Sequence, residues 1–227
     1  MKRILFFVVT FIFMMSSCSR QRFQTNAYKE LSKEHQILAI LPVEMVMTGR
    51  IPKELTEEDI NNIEEGESKA FQMALFSELS RGSGSRRNEI GVNFQHYDAT
   101  NQLLEEAGID FRTAWTTSPV KLAEILGVDA VVKARVEKQQ YLTDLEGFGI
   151  TLASRVANVL LPGSPFGGFV RTRTSDVWAS CSVLDSQSGV SVWASREKCP
   201  TYWNYPTQEV VTRIARAMCR RFPYRID

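Results

Sequence analysis

The spacing of apolar residues changes along this chain, and each spacing predicts an element. Ile37-Leu38-Ala39-Ile40-Leu41 is a continuous apolar run closed by Pro42, the pattern of a strand buried on both faces. Ile60, Ile63, Ala70, Phe71, Ala74, Leu75 and Leu79 fall near one helical stripe, which predicts a long helix ending before the linker Gly82-Ser83-Gly84-Ser85. Ile90 to Phe94 reads as a second strand, and Asp98 caps a short helix carrying Leu103 and Leu104. Ser118-Pro119 opens the next helix, which carries Val120, Leu122, Ala123, Ile125 and Leu126 and stops at Gly127. Val128, Ala130, Val132, Ala134 and Val136 then alternate with Asp129, Lys133, Arg135 and Glu137, as in a half-buried strand. Only Val131 breaks that alternation.

A hairpin follows: Val177 to Leu184, a turn through Ser186 to Gly189, and Val190 to Glu197. That loop pairs Val183 with Val192 and Cys181 with Ala194, so Val177, Ala179, Cys181, Val183, Val192 and Ala194 share the core face. The other face carries Ser180, Ser182, Ser191 and Ser195, with Trp178 and Trp193 among them. A helix over that face would make both tryptophans core; an open face would make them a binding patch. The final helix, Thr207 to Phe222, buries Val210, Val211, Ile214 and Met218 and shows Arg213, Arg216 and Arg220 on another stripe. The expected fold class is α/β, a small mixed sheet of about five strands with three to four packed helices. An insertion at 139–175 precedes the hairpin. Its Ile150, Ala153, Ala157, Leu160 and Leu161 have helical spacing between Gly-rich arms, and Val156 and Leu160 are candidate partner-binding residues.

The N-terminus changes the picture of where this domain works. Met1-Lys2-Arg3, the apolar run Ile4 to Met15 and Ser16-Ser17-Cys18 make a secretory signal, too short for a spanning helix of about 20 apolar residues. Cys18 at the cut site resembles the lipobox of bacterial lipoproteins, with Met15 where Leu is usual. The resemblance implies a signal peptide over 1–17, a lipidated Cys18, and membrane attachment through the N-terminal lipid. Buried acyl chains anchor at about 0.8 kcal/mol per CH₂ without help from the fold. Ser19-Arg20 after the cysteine, in place of an aspartate, implies an outer-membrane address, with the domain facing the periplasm. Residues 18–34 are expected to be the lipidated cysteine and a tether, and 35–227 a single domain.

Composition narrows the chemistry. The 27 basic and 26 acidic residues nearly cancel, and nucleic-acid binding usually shows a concentrated basic excess, so nucleic acid is excluded as a partner. Besides Cys18 there are Cys181, Cys199 and Cys219, too few for a disulfide scaffold; Cys199 with Cys219 is the one pairing entertained. The only histidines are His35 and His96, read as surface or loop residues. With no HExxH, no cysteine pair at ligand spacing, no Gly-x-Ser-x-Gly elbow and no phosphate loop, no catalytic residue, metal site or cofactor is expected. Seven acidic residues from Glu54 to Glu67 crowd the start of the long helix, where its dipole favours them.

Three pieces carry a further likeness: Ile37 to Val43, the segment 118–136 with Leu-Ala-Glu-Ile-Leu-Gly-Val-Asp-Ala-Val-Val, and Val-Leu-Asp-Ser-Gln-Ser-Gly-Val-Ser-Val-Trp at 183–193. Together they resemble the domain shared by LpoB-type activators of penicillin-binding proteins and the CsgG-type curli secretion channel. That resemblance implies a lipoprotein acting by contact with an envelope protein or by self-association, as a regulator or assembly factor. A subunit of an oligomeric channel is the alternative and a cell-envelope hydrolase a lesser one. A channel needs membrane hairpins of about 9–11 alternating residues per strand, and the insertion has helical period instead. Trp178, Trp193, Arg213 and Arg216 complete the candidate contact residues.

Overall fold

The computed structural model describes residues 21–49, 56–82, 90–140, 173–202, 207–219 and 222–225. Cys18, Arg220, the Gly/Ser linker beyond Gly82 and the centre of the insertion, with Val156 and Leu160, lie outside them. The described strands are β1 (Gln21–Gln24), β2 (Ile37–Ile40), β3 (Glu44–Gly49), β4 (Asn93–Phe94), β5 (Ala130–Gln140), β6 (Arg173–Asp185) and β7 (Ser191–Tyr202). The described helices are α1 (Tyr28–Leu31), α2 (Glu57–Gly82), α3 (Tyr97–Glu106), α4 (Phe111–Thr116), α5 (Pro119–Leu126) and α6 (Thr207–Cys219). The fold is the expected mixed α/β arrangement with more strands. The sheet runs β1-β7-β6-β5-β2-β4, and β3 also pairs with β5. Strands β2, β3 and β4 make parallel pairs, and β5, β6, β7 and β1 are antiparallel neighbours.

Pro42 interrupts β2 without ending the extended run. It has no N–H for the ladder, yet the chain resumes at Glu44 and follows β5 from Arg135 to Gln140. Residues 37–49 therefore act as one broken strand beside β5.

One face of the sheet is covered by α2 and α6. Phe71, Leu75 and Leu79 of α2 and Val211, Ile214 and Met218 of α6 pack on Leu38, Ile40, Val132, Ala134, Val177, Ala179 and Val183. The predicted α2 stripe is core only in its second half, because Ile63 is 36% exposed. The opposite face is covered at one end, where α3, α4 and α5 bury Ala39, Leu41 and Val131. Val131 broke the alternation of β5 because it belongs to this second core.

Three local expectations are corrected. The segment assigned to a tether is folded from Gln21 onward: β1 pairs with β7 from Gln21↔Arg196 to Gln24↔Trp193, and Tyr28 and Leu31 pack on the main core. The N-cap of α3 is His96, whose ring accepts from the Asp98 backbone N–H at 3.3 Å, so Asp98 lies inside the helix. The insertion is narrower than 139–175, since β5 runs to Gln140 and β6 starts at Arg173. The helix from Pro119 to Leu126 does end as expected, with Gly127 at φ +64°, where any side chain would be strained.

Candidate functional site: the uncovered half of the sheet

Hairpin register decides which side chains reach this face. Leu184 pairs with Ser191, as the turn predicts, and Gly189 takes φ +67° in that turn. A bulge then shifts the ladder by one, pairing Val183 with Trp193, Ser182 with Ala194 and Cys181 with Ser195. Val192 and Trp193 consequently both enter the main core, Trp193 at 4% exposure with its ring 5.7 Å from that of Phe222. Trp193 is no contact residue. Ala194 turns outward instead.

Beyond α3–α5 the second face is polar, and no other described element covers it. Trp178, Ser180 and Ser182 of β6 stand beside Ala194, Arg196 and Lys198 of β7 and Lys133, Arg135 and Glu137 of β5. The Arg196 guanidinium lies 4.8 Å from the Trp178 ring centre and the Lys198 ammonium 5.0 Å, two cation–π contacts to the half-buried indole. Arg135 pairs with Glu44 at 3.0 Å, and Arg196 reaches Glu137 at 4.0 Å. Lys133 Nζ donates to the carbonyls of Trp115 (3.1 Å) and Thr117 (2.9 Å), closing the C-terminal end of α4. Burial lowers its pKa, and Glu44 opposes that shift. Ser180, Ser182 and Ala194 floor a groove of about 610 Å³ flanked by Arg22, Phe23 and Arg196. The same two serines border a smaller hollow of about 210 Å³ beside Trp115, Lys133 and Arg135. Phe23 is 54% exposed.

The other predicted residues lie elsewhere. Arg213 pairs with Glu209 at 2.9 Å, and Arg216 reaches both carboxylate oxygens of Glu78 at 3.3 Å, tying α6 to α2 on the far side of the sheet. Arg216 is thus an internal brace. The structure does not join this stripe to Trp178. Cys219 is a buried free thiol, so the Cys199–Cys219 pairing is absent. Burial pushes the Cys181 thiol up to about 12 and, with Cys181 and Glu78 nearby, holds Cys219 well above the usual range. The groove's cations went unread because nothing in β7 marks its bulge, although Lys133, Arg135 and Glu137 at alternate positions already signalled an uncovered strand face.

His35 is buried at 5% exposure, against the surface reading. Its Nε2–H donates to Asp185 at 2.9 Å, which leaves Nδ1 to accept from the Tyr224 hydroxyl. Asp185 also accepts from the Ser188 N–H (2.7 Å) and hydroxyl (2.6 Å). The serine sits on the carboxylate and not on the imidazole, and burial raises the Tyr224 phenol, so neither hydroxyl is activated as a nucleophile. Among the described residues no group of three or more His, Cys, Asp and Glu is placed to hold a metal ion.

No protein-family model matches the chain, and no curated protein matches it. Solved structures similar to it include a PelC dodecamer from Paraburkholderia phytofirmans (TM-score 0.42, 11% identity, 88% of this chain and 93% of that one). Lipoprotein GNA1162 from Neisseria meningitidis is similar at TM-score 0.48 and 13% identity, covering 82% of this chain and 96% of that one. The LpoB C-terminal domain from Escherichia coli is similar at TM-score 0.36 and 10% identity, covering 77% and 95%. Likeness at this level transfers no residue roles.

Proposed function

We propose that this chain is a lipid-anchored protein of the bacterial envelope whose domain faces the periplasm from the outer membrane and works by protein contact, without catalysis, as a regulator or assembly factor. The observation that carries the contact is this half of the sheet: an aromatic ring in contact with two cations beside a groove, uncovered by any described element, in a fold that buries its other face under two helices. Exposed aromatic and arginine side chains are the residue types enriched where proteins meet. The anchor rests on the signal pattern and Cys18.

Cross-linking in intact envelopes, followed by purification of the full chain, tests both parts. A partner should be captured by the unaltered protein and lost from Trp178→Ala with Arg196→Ala, while the melting temperature holds. Cys18→Ala should abolish acyl labelling and release the protein from the membrane fraction. Capture that survives the paired substitution removes the face from the reading, and normal acyl labelling of the Cys18 variant removes the anchor.

A further inference from the structure

We propose that β1 is a releasable strap that sets how far the lipid-held domain stands from the membrane; this rests on the Cys18 anchor proposed above and adds a conformational device to it. The sheet holds this strand through its backbone. It pairs with β7 from Gln21↔Arg196 to Gln24↔Trp193, and the Thr25 N–H continues the ladder to the Val192 carbonyl at 3.2 Å. None of its described side chains follows that pairing into a core, since Arg22, Phe23 and Gln24 are all exposed. Helix α1, next in the chain, buries no residue either. Segments that combine exposed backbone hydrogen bonds with few buried apolar contacts open at the lowest free energy in a fold.

The far end of the strap is fixed. Tyr28 sets its ring 6.1 Å from that of Tyr224, Leu31 packs against the main core, and His35 is buried between Asp185 and Tyr224. Opening therefore stops near Tyr28. With β1 paired, the three residue steps from Cys18 to Gln21 keep the start of the strand within about 10 Å of the acylated cysteine, at roughly 3.4 Å per extended residue. With β1 released, the ten steps from Cys18 to Tyr28 reach about 35 Å. A short strand beside the anchor in sequence thus moves the whole domain between a membrane-apposed and an extended position.

The lipidated protein in phosphatidylethanolamine–phosphatidylglycerol vesicles tests this by hydrogen exchange and by energy transfer from its tryptophans to dansyl-labelled headgroups. The Thr25 amide should exchange at least about 100-fold faster than that of Leu41, which bonds the Val132 carbonyl inside the sheet. Phe23→Pro removes an N–H from the strap and only an exposed side chain with it. It should cut energy transfer at least about twofold as the domain moves outward, while lowering the melting temperature by no more than about 4 °C. Phe23→Cys with Ala194→Cys, two residues paired across the ladder, should when oxidised slow Thr25 exchange and keep transfer high, and reductant should reverse both. Thr25 exchange as slow as that of Leu41, or a melting loss for Phe23→Pro as large as that of Trp193→Ala, makes β1 an integral strand and overturns the proposal. An oxidised lock that leaves Thr25 exchange unchanged overturns it as well. Unchanged transfer in Phe23→Pro with Cys18 still acylated also overturns it, and leaves the anchor standing. Membrane attachment that survives Cys18→Ala removes the anchor, and the strap's role falls with it.

Discussion

Trp193 packs against Phe222 and is almost fully buried, whereas Trp178 lies under Arg196 and Lys198 at the open face. The two indoles therefore report different things. Trp193→Ala should cost about 3–5 kcal/mol, the range for emptying an aromatic site in a core. Trp178→Ala should cost about 1 kcal/mol, since exposed cation–π contacts contribute about 0.5–1 kcal/mol each. Urea midpoints of the two variants check this, and similar losses would mean that the open face is covered. One residue of bulge separates these roles. The apolar alternation of Val177 to Val183 was legible in the sequence; the bulge at Val192 was not, because Val-Trp reads equally well in either register.

At the scale of elements, a buried amide joins three of them. Gln72 of α2 has no exposed surface; its Nε2 donates to the Ile40 carbonyl of β2 (2.8 Å) and to Asn101 of α3 (2.9 Å), and its Oε1 accepts from Asn101 Nδ2 (3.0 Å). Gln72→Leu should strand the Asn101 amide and cost about 1–3 kcal/mol, the usual price of an unmet buried polar group. Gln72→Leu combined with Asn101→Leu should recover part of that loss in thermal unfolding, and a double variant worse than the single one would show that the clasp is not shared. Periodicity located β2, β5, the hairpin, α2, α5 and α6, because each buries a long apolar set. It missed β1, whose Gln-Arg-Phe-Gln enters the sheet through backbone pairing while Phe23 stays exposed. It also missed α4, six residues capped by Asp110, whose Oδ1 accepts from the Thr113 N–H at 2.6 Å. The open face was half legible: the charges on β5 were in view, but which strands lay beside them was not.

At the scale of the molecule, the brace around His35 ties together segments far apart in sequence. His35 precedes β2, Asp185 and Ser188 form the hairpin turn, and Tyr224 lies beyond α6, where its carbonyl accepts from Gly91 N–H at 2.8 Å. For Asp185, burial raises the pKa, but hydrogen bonds from Ser188 and His35 outweigh it and the net shift is downward. A carboxylate depressed in the folded state adds stability that is complete above its unfolded pKa, about 3.9, and is lost as pH falls through the folded value. The protein should therefore lose stability progressively below about pH 4, and Asp185→Asn should remove part of that slope while lowering stability at neutral pH. Tyr224→Phe takes away one hydroxyl donor and leaves the carboxylate in place, so it should lower stability by about 1–3 kcal/mol and keep the acid slope. Urea unfolding of the three proteins from about pH 7 down to about pH 3 separates these outcomes, a window set by the carboxylate reference value. If Asp185→Asn keeps the full acid slope, other carboxylates govern acid unfolding and the brace holds the three segments by packing alone.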